Sequence, residues 1–371
     1  MHARYRYLGS YRYVNRDFLL CTAIGMMQKK IAEAEAAFAS GMKAEKAGVS
    51  CGFWGRMVGG GSVDWDLAAA DYERAATGFK VAKEHSRAID AFERAAHAQG
   101  NLSEGEFMAS KHLESAAFLA LELKRHAAAA SLYEQSATVH LTVCRIDSAA
   151  AALIKAAKAL EASDGEQAAE VASRACELLN DLDDEPKLRQ GVESIRSAIN
   201  LLIRLRKLPQ ACAAFETQAA VCAQLAQPHG VARAELSLLL LRLFADDFEG
   251  ASNGYERALR EREADEFAAR DEAALAERIL SGFRAQDEKA LAGALGDPLI
   301  HQLEMEAARL ARTLTLRSAG VPHELLDGAK SSVGQGSSSD SGGNGCGGST
   351  ASGTGDFGEA APEDELTDDL C

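Results

Sequence analysis

Lys111, Lys155 and Arg196 recur 44 and 41 residues apart, and Arg204 follows within the next helical stretch. Cations returning at nearly one interval become neighbours only if the chain repeats at that interval. They would then form a basic stripe suited to an extended acidic surface. Contact of that kind is salt-sensitive and steers encounter more than it sets affinity. Exposed helix faces also carry Lys and Arg for solubility, so spacing alone leaves both readings open. A second group lies at 51–62, "CGFWGRMVGGGS", where Phe53, Trp54, Met57 and Val58 stand among five glycines. Burying a large apolar side chain contributes about 1.5–3 kcal/mol, so four partly inserted ones supply roughly 4–6 kcal/mol gross. That suffices for weak, reversible membrane contact. The alternative is that Phe53 and Trp54 fold back to cap the first helical hairpin. A third group closes the chain: "EAAPEDELTDDLC" sets Leu366 and Leu370 among acids, including Asp368 and Asp369. It reads either as a solubilising tail or as an acidic, apolar docking motif.

Motifs for catalysis are missing from the sequence. "GMKAEKAG" lacks the Gly-Lys-Ser/Thr ending of a phosphate-binding loop, and there is no H-E-x-x-H. His112, His126 and His140 are evenly spaced but read, like the other histidines, as isolated surface or packed side chains. The pairs Asp183–Asp184 and Asp246–Asp247 sit at predicted turns, where capping explains them. Eight cysteines include no C-x-x-C pair and read as reduced, packed thiols of a cytosolic protein. Cys371, as the last residue, makes no C-a-a-X box. The expectation is a protein that is not an enzyme and carries no cofactor or metal; an enzyme with a site assembled only in space is one rival.

These groups need a scaffold, and the composition points to helices. Alanine is abundant, there are six prolines, and aromatics make up 6% of the 371 residues. A net charge of −15 argues against a nucleic-acid-coating protein, while a local basic face survives inside an acidic average. No stretch reaches the ~20 apolar residues of a membrane span. The first residues carry arginines and then a short apolar run, Phe18 to Met27. Asp17 abuts that run and no small-residue cleavage site follows, so 1–25 reads as an unstructured extension or an alternative start. Helix signals begin at Met26 and end at Gly48, then resume from Asp64 to about Arg317.

A repeat orders that helical region. An Ala-x-x-x-aromatic step occurs at Ala68–Tyr72, Ala88–Phe92, Ala129–Tyr133, Ala211–Phe215 and Ala251–Tyr255; Ala168 is followed by Ala172 instead of a ring. The series from Ala88 has a period near 40, which is two helices and two turns. Predicted helices cover 65–83, 86–99, 103–123, 126–141, 146–161, 165–180, 186–206, 208–226, 229–245, 247–262, 266–284, 286–295 and 298–317. The expected fold is all-α: a tetratricopeptide-like, right-handed α-solenoid of helical hairpins over 26–317, with a C-terminal helical cap. Residues 318–371 read as a disordered Gly/Ser linker and the acidic tail.

The stretches "DWDLAAADYERAATGFKVAKEHSRAIDAF" (64–92), "SKHLESAAFLALELKRHAAAASLYEQSA" (110–137) and "KLRQGVESIRSAINLLIRLRKLPQACAAFETQ" (187–218) carry a resemblance. The chain resembles the soluble NSF attachment proteins, or SNAPs, most closely their gamma type, over about 26–315 and at the acidic end. The resemblance implies a non-enzymatic adaptor of vesicle trafficking and membrane fusion, cytoplasmic and peripherally bound to Golgi, vesicle and other endomembranes. It implies two partners, the assembled SNARE four-helix bundle and the hexameric ATPase NSF, with weak membrane contact and no nucleic acid. By position, Lys111, Lys155, Arg196 and Arg204 would face the SNARE bundle. Phe53, Trp54, Met57 and Val58 would touch the membrane. Asp287, Glu288, Asp368, Asp369 and Leu370 would meet NSF. Ser281 and Arg284 depart from the acidic cluster expected in the late helices, and the linker is longer than expected. The competing class is a general helical-repeat scaffold, such as a co-chaperone or peroxisomal adaptor, which needs neither the apolar loop nor the terminal leucine.

Overall fold

The computed structural model describes the backbone of residues 4–47, 63–180, 182, 184–261 and 270–316, and the side chains there except those of 4–24, 47 and 261. The chain divides into Met1–Val321 and Pro322–Cys371, and every described residue lies in the first unit. That unit is all-α among the described residues. Its helices are α1 (Arg4–Ala47), α2 (Trp65–Val81), α3 (His85–Gly100), α4 (Glu106–Glu122), α5 (His126–Thr142), α6 (Ile146–Leu160) and α7 (Gly165–Asn180). There follow α8 (Glu185–Arg204), α9 (Leu208–Gln224), α10 (Pro228–Phe244), α11 (Phe248–Glu261), α12 (Asp271–Ala285) and α13 (Glu288–Leu295). A 3-10 turn (Pro298–Gln302) and α14 (Met305–Ala311) complete the unit. Consecutive helices from α1 to α11 pack side by side as antiparallel hairpins. The fold is a tetratricopeptide-like α-solenoid closed by a helical cap.

Two expectations change. The first helix begins at Arg4 rather than Met26. No proline occurs before Pro186, so nothing in the early sequence forces a break. The expected helix 298–317 is split. Asp297 caps a 3-10 turn through Leu299 N–H at 3.1 Å, and Leu303 then turns extended, with ψ 171°, before α14 starts.

The repeat is written in the turns. After the first helix of a pair, backbone enters the left-handed region at Lys83, Lys124, Arg206, Asp246 and Gln286, with φ of 61°, 57°, 59°, 63° and 53°. After second helices it does so at Glu104, Cys144 and Ala226. At most of these positions the next amide reaches back five residues to a carbonyl: Glu84 to Phe79 (2.9 Å), Arg125 to Ala120 (2.9 Å), Lys207 to Leu202 (2.9 Å) and Asp247 to Arg242 (2.9 Å). Each such bond satisfies a carbonyl orphaned at the helix end and fixes the reversal angle. The turn after α6 is built differently, with Asp164 Oδ1 accepting from the amides of Glu166 and Gln167 at 3.1 and 3.0 Å.

Between the turns, alanine sets the spacing. Ala68, Ala88, Ala129, Ala168, Ala211 and Ala251 are all buried, and so are Tyr72, Phe92, Tyr133 and Phe215 beside them. The small residue admits the neighbouring helix and the ring fills the remaining space. Near the missing ring, α8 comes close to α7: a Cβ on Gly191 would lie 2.6 Å from Leu179 Cδ2. One core runs from α1 to α10, and a second joins α10 to α11, α12, α13 and α14. Helix α10, "PHGVARAELSLLLLRLF", serves both, with Leu238 and Leu241 in the first and Leu236, Leu239 and Leu240 in the second. A helix apolar on all sides is what burial between two layers requires.

Burial keeps two thiols and two imidazoles neutral. Burial pushes the Cys176 thiol up to about 12 and that of Cys212 up to about 11, so both remain protonated. His112 stacks on Phe92 with ring centres 5.9 Å apart. Burial holds the imidazoles of His112 and His140 below the ordinary histidine value, with Arg145 adding to the effect at His140.

Two outcomes are expected. Gly191→Ala places a methyl against Leu179 and should lower unfolding stability by about 1–3 kcal/mol, read from the urea midpoint. For the histidines, the unfolded chain binds protons before the folded one does. Their contribution is full above about pH 6.5 and is lost as pH falls from there toward their depressed folded values. The urea midpoint should therefore drop over that interval, and a His112→Gln/His140→Gln variant should show a flatter profile.

Candidate functional site

A step of 41 residues separates Lys155 and Glu114, whose side chains meet between α6 and α4. Counting in steps of 41 from that contact aligns Glu73, Glu114, Lys155, Arg196 and Ser237 on α2, α4, α6, α8 and α10, and the left-handed turns at Lys83, Lys124, Arg206 and Asp246 keep that step to within one residue. Lys155 and Arg196 therefore share a rung. Lys111 stands one helical turn away, and Glu114 takes the place on its helix that the cationic pattern would assign to a base.

Lys111 and Lys155 nonetheless come together. They line a cleft of about 350 Å³ with Lys80, Glu114, Phe118 and Tyr133. Lys155 Nζ lies 2.6 Å from Glu114 Oε1. Among the described residues Lys111 meets no carboxylate; its ammonium sits 4.5 Å from the centre of the Phe107 ring. Phe118 is 52% exposed at the cleft, an apolar surface beside three ammonium groups. The Tyr133 phenol is raised by burial and then by Glu114, so it stays a neutral donor. This arrangement can accept a partner that presents carboxylates around an apolar side chain, such as an acidic amphipathic helix.

Arg196 and Arg204 are not brought to that cleft. Arg196 Nε bonds Glu304 Oε1 at 2.8 Å, and Gln218 Nε2 donates to the same oxygen at 3.2 Å. The amide of Glu306 adds a bond to Asn200 Oδ1 at 3.0 Å. Arg196 thus latches the cap segment onto α8, and the Glu304 carboxylate holds its guanidinium above the ordinary arginine value. Arg204 forms a fork with Glu161, Nε to Oε1 at 2.6 Å and Nη2 to Oε2 at 3.0 Å. Lys207 is paired with Glu166. Together with Glu114–Lys155, these pairs form clasps between helices one repeat apart. Each lies at the surface and is worth about 0–1 kcal/mol.

Among the late acids, Asp287 is the N-cap of α13: Oδ1 accepts from the amides of Lys289 and Ala290 at 2.9 and 3.0 Å. Glu288 follows, and both are exposed. Phe53, Trp54, Met57, Val58, Asp368, Asp369 and Leu370 lie outside the described residues. Among the described residues, no group of three His, Cys, Asp or Glu side chains could hold a metal ion, and no helix is long and apolar enough to cross a membrane. Sequence reading missed Lys80, Phe118 and Glu304. Lys80 and Phe118 carry a weak signal, since both fall on the first-helix face of the repeat. Glu304 carries none, because the cap that brings it to Arg196 breaks the period.

Comparison with known proteins bears on this arrangement. A family model described as "Soluble NSF attachment protein, SNAP" matches residues 34–297. A gamma-soluble NSF attachment protein of Arabidopsis thaliana is 30% identical over 194 residues, covering 52% of this chain and 65% of that protein. One of Dictyostelium discoideum is 32% identical over 196 residues, covering 53% of this chain and 59% of that protein. The chain thus spans less than two thirds of the length of these curated relatives. A crystal structure of Rap protein complexed with competence and sporulation factor is similar at 15% identity over 70% of this chain and 73% of that one, with a TM-score of 0.30. At that score it carries no argument here. The family match extends over well more than half the sequence and takes in the hairpins that build the cleft, so the chain belongs to the soluble NSF attachment protein family.

Proposed function

We propose that this protein is a trafficking adaptor that grips assembled SNARE bundles through its first-helix face and presents them to the ATPase NSF. The observation that carries the reading is the family match over 34–297, which includes α2, α4, α6 and α8. The cleft around Lys111 and Lys155 supplies the chemistry: cations and an exposed ring suit a helical bundle whose surface alternates acids with apolar positions. Arg196 contributes by fixing the cap against the repeat stack rather than by offering a free charge. NSF contact falls to Asp287, Glu288 and the terminal Asp368, Asp369 and Leu370. Membrane contact falls to Phe53, Trp54, Met57 and Val58, with residence at Golgi and vesicle surfaces. The chemistry of ATP hydrolysis belongs to the partner. The solenoid transmits force because each repeat is packed on the next.

Purified protein, NSF and a soluble SNARE bundle should show ATP-dependent disassembly. Lys111→Glu/Lys155→Glu should weaken bundle binding about five- to tenfold at physiological salt, with a reduced salt dependence. Reversing the exposed Lys29 on α1 should leave binding unchanged. Equal loss in both variants would remove the cleft from the account. Phe53→Ser/Trp54→Ser should slow disassembly on liposomes and spare that of soluble bundles; equal slowing in both assays would refute the membrane role.

A further inference from the structure

In antiparallel hairpins, the starts of first helices and the ends of second helices lie at the same edge of the stack. At this edge stand Leu67 in the first turn of α2 and Phe107 in the first turn of α4, each 47% exposed. Leu141 in the last turn of α5 and Val143 just after it are each 39% exposed. The opposite edge also exposes apolar groups, Val81 at 58% and Leu123 at 37%. Phe107 also carries two cations: Lys111 Nζ lies 4.5 Å and the Arg145 guanidinium 5.7 Å from its ring centre. Arg145 belongs to the turn between α5 and α6, so the two charges reach the ring from different elements.

We propose that this row is a second membrane-contact surface, which inserts Phe107, Val143, Leu141 and Leu67 at the interface of a lipid bilayer. The inference rests on the membrane reading given above and extends it to residues that no motif marks. Three features favour a bilayer over a protein partner. The apolar groups are single side chains at the tips of successive turns, a line of points suited to a flat surface rather than to a groove. The cations bracketing Phe107 match an interfacial position, with ring below and charge at headgroup level. The chain from α1 to α2 leaves and re-enters the fold at this same edge, and its intervening sequence holds Phe53, Trp54, Met57 and Val58. Asp64, Asp66 and Glu104 share the edge, so apolar insertion rather than attraction to anionic lipid provides the affinity. Binding should therefore persist on neutral lipid and change little with salt.

The test is flotation of the full chain with phosphatidylcholine vesicles. Three proteins are compared: wild type, Phe107→Ser/Val143→Ser and Phe53→Ser/Trp54→Ser. Circular dichroism melting confirms that the exposed-site variants fold. The Phe107/Val143 variant should lose about tenfold in lipid partitioning. Unchanged partitioning of that variant, with loss in the Phe53/Trp54 variant, overturns the second surface and leaves the loop reading standing. Loss in the first with none in the second supports the row and overturns the loop. A wild type that does not float, or whose binding requires anionic lipid and disappears in salt, overturns the insertion proposed here.

Discussion

The close approach of alanine-bearing helices, held by left-handed turns, sets everything else in this molecule. A buried alanine lets the next helix sit near, and the reach-back amide bond at Lys83, Lys124, Arg206 and Asp246 fixes where that helix begins. Helix length and turn length together then give a step of 41 residues across the middle of the stack. From that step follows which side chains share a rung. It puts Glu114 against Lys155 and Glu166 against Lys207. The surface chemistry is thus a consequence of backbone geometry at the turns, not of charge patterning alone.

The cationic face that results differs from a simple stripe. Acids occupy its early rungs and bases its later ones, and Lys155, Arg204 and Lys207 are each clasped by a carboxylate one repeat away. Such clasps contribute little to stability individually, yet they hold long side chains in defined positions and neutralise charge that would otherwise repel. What remains for a partner is the cleft where Lys80 and Lys111 lie near Phe118. The late cation Arg196 is committed to Glu304, and the cap therefore continues the packing of α8 and α10 instead of trailing from it.

Legibility in the sequence follows physical range. The hairpins could be read because the Ala-x-x-x-ring step and the turn residues are local and repeat. The predicted helix 126–141 and α5, His126–Thr142, differ by one residue at the end. Lys155 and Arg196 are separated by the same 41 residues as the Lys155–Glu114 contact. Lys111 falls off that step, because a separation of 44 returns to the same face of the helix but one turn along it. The cap was misread for a different reason. Pro298 and the extended Leu303 break a run whose composition is helical throughout. The Arg196–Glu304 contact spans 108 residues and leaves no periodic trace. The exposed row at Leu67, Phe107 and Val143 is likewise invisible in sequence, where each is one apolar residue among many.

The register is the claim on which the cleft, the clasps and the exposed row all stand, and distance measurement reaches it directly. Spin labels carried on unnatural side chains at positions 73, 114, 155 and 196 would report, in the pairs 73–155 and 114–196, on rungs two repeats apart. Helices packed one after another at about 8–10 Å place each two-repeat pair at roughly 20 Å, with a narrow distribution. Similar, narrow distances for 73–155 and 114–196 are the predicted result. Broad or widely unequal distances would mean that residues 41 apart do not stand side by side, and would contradict the account.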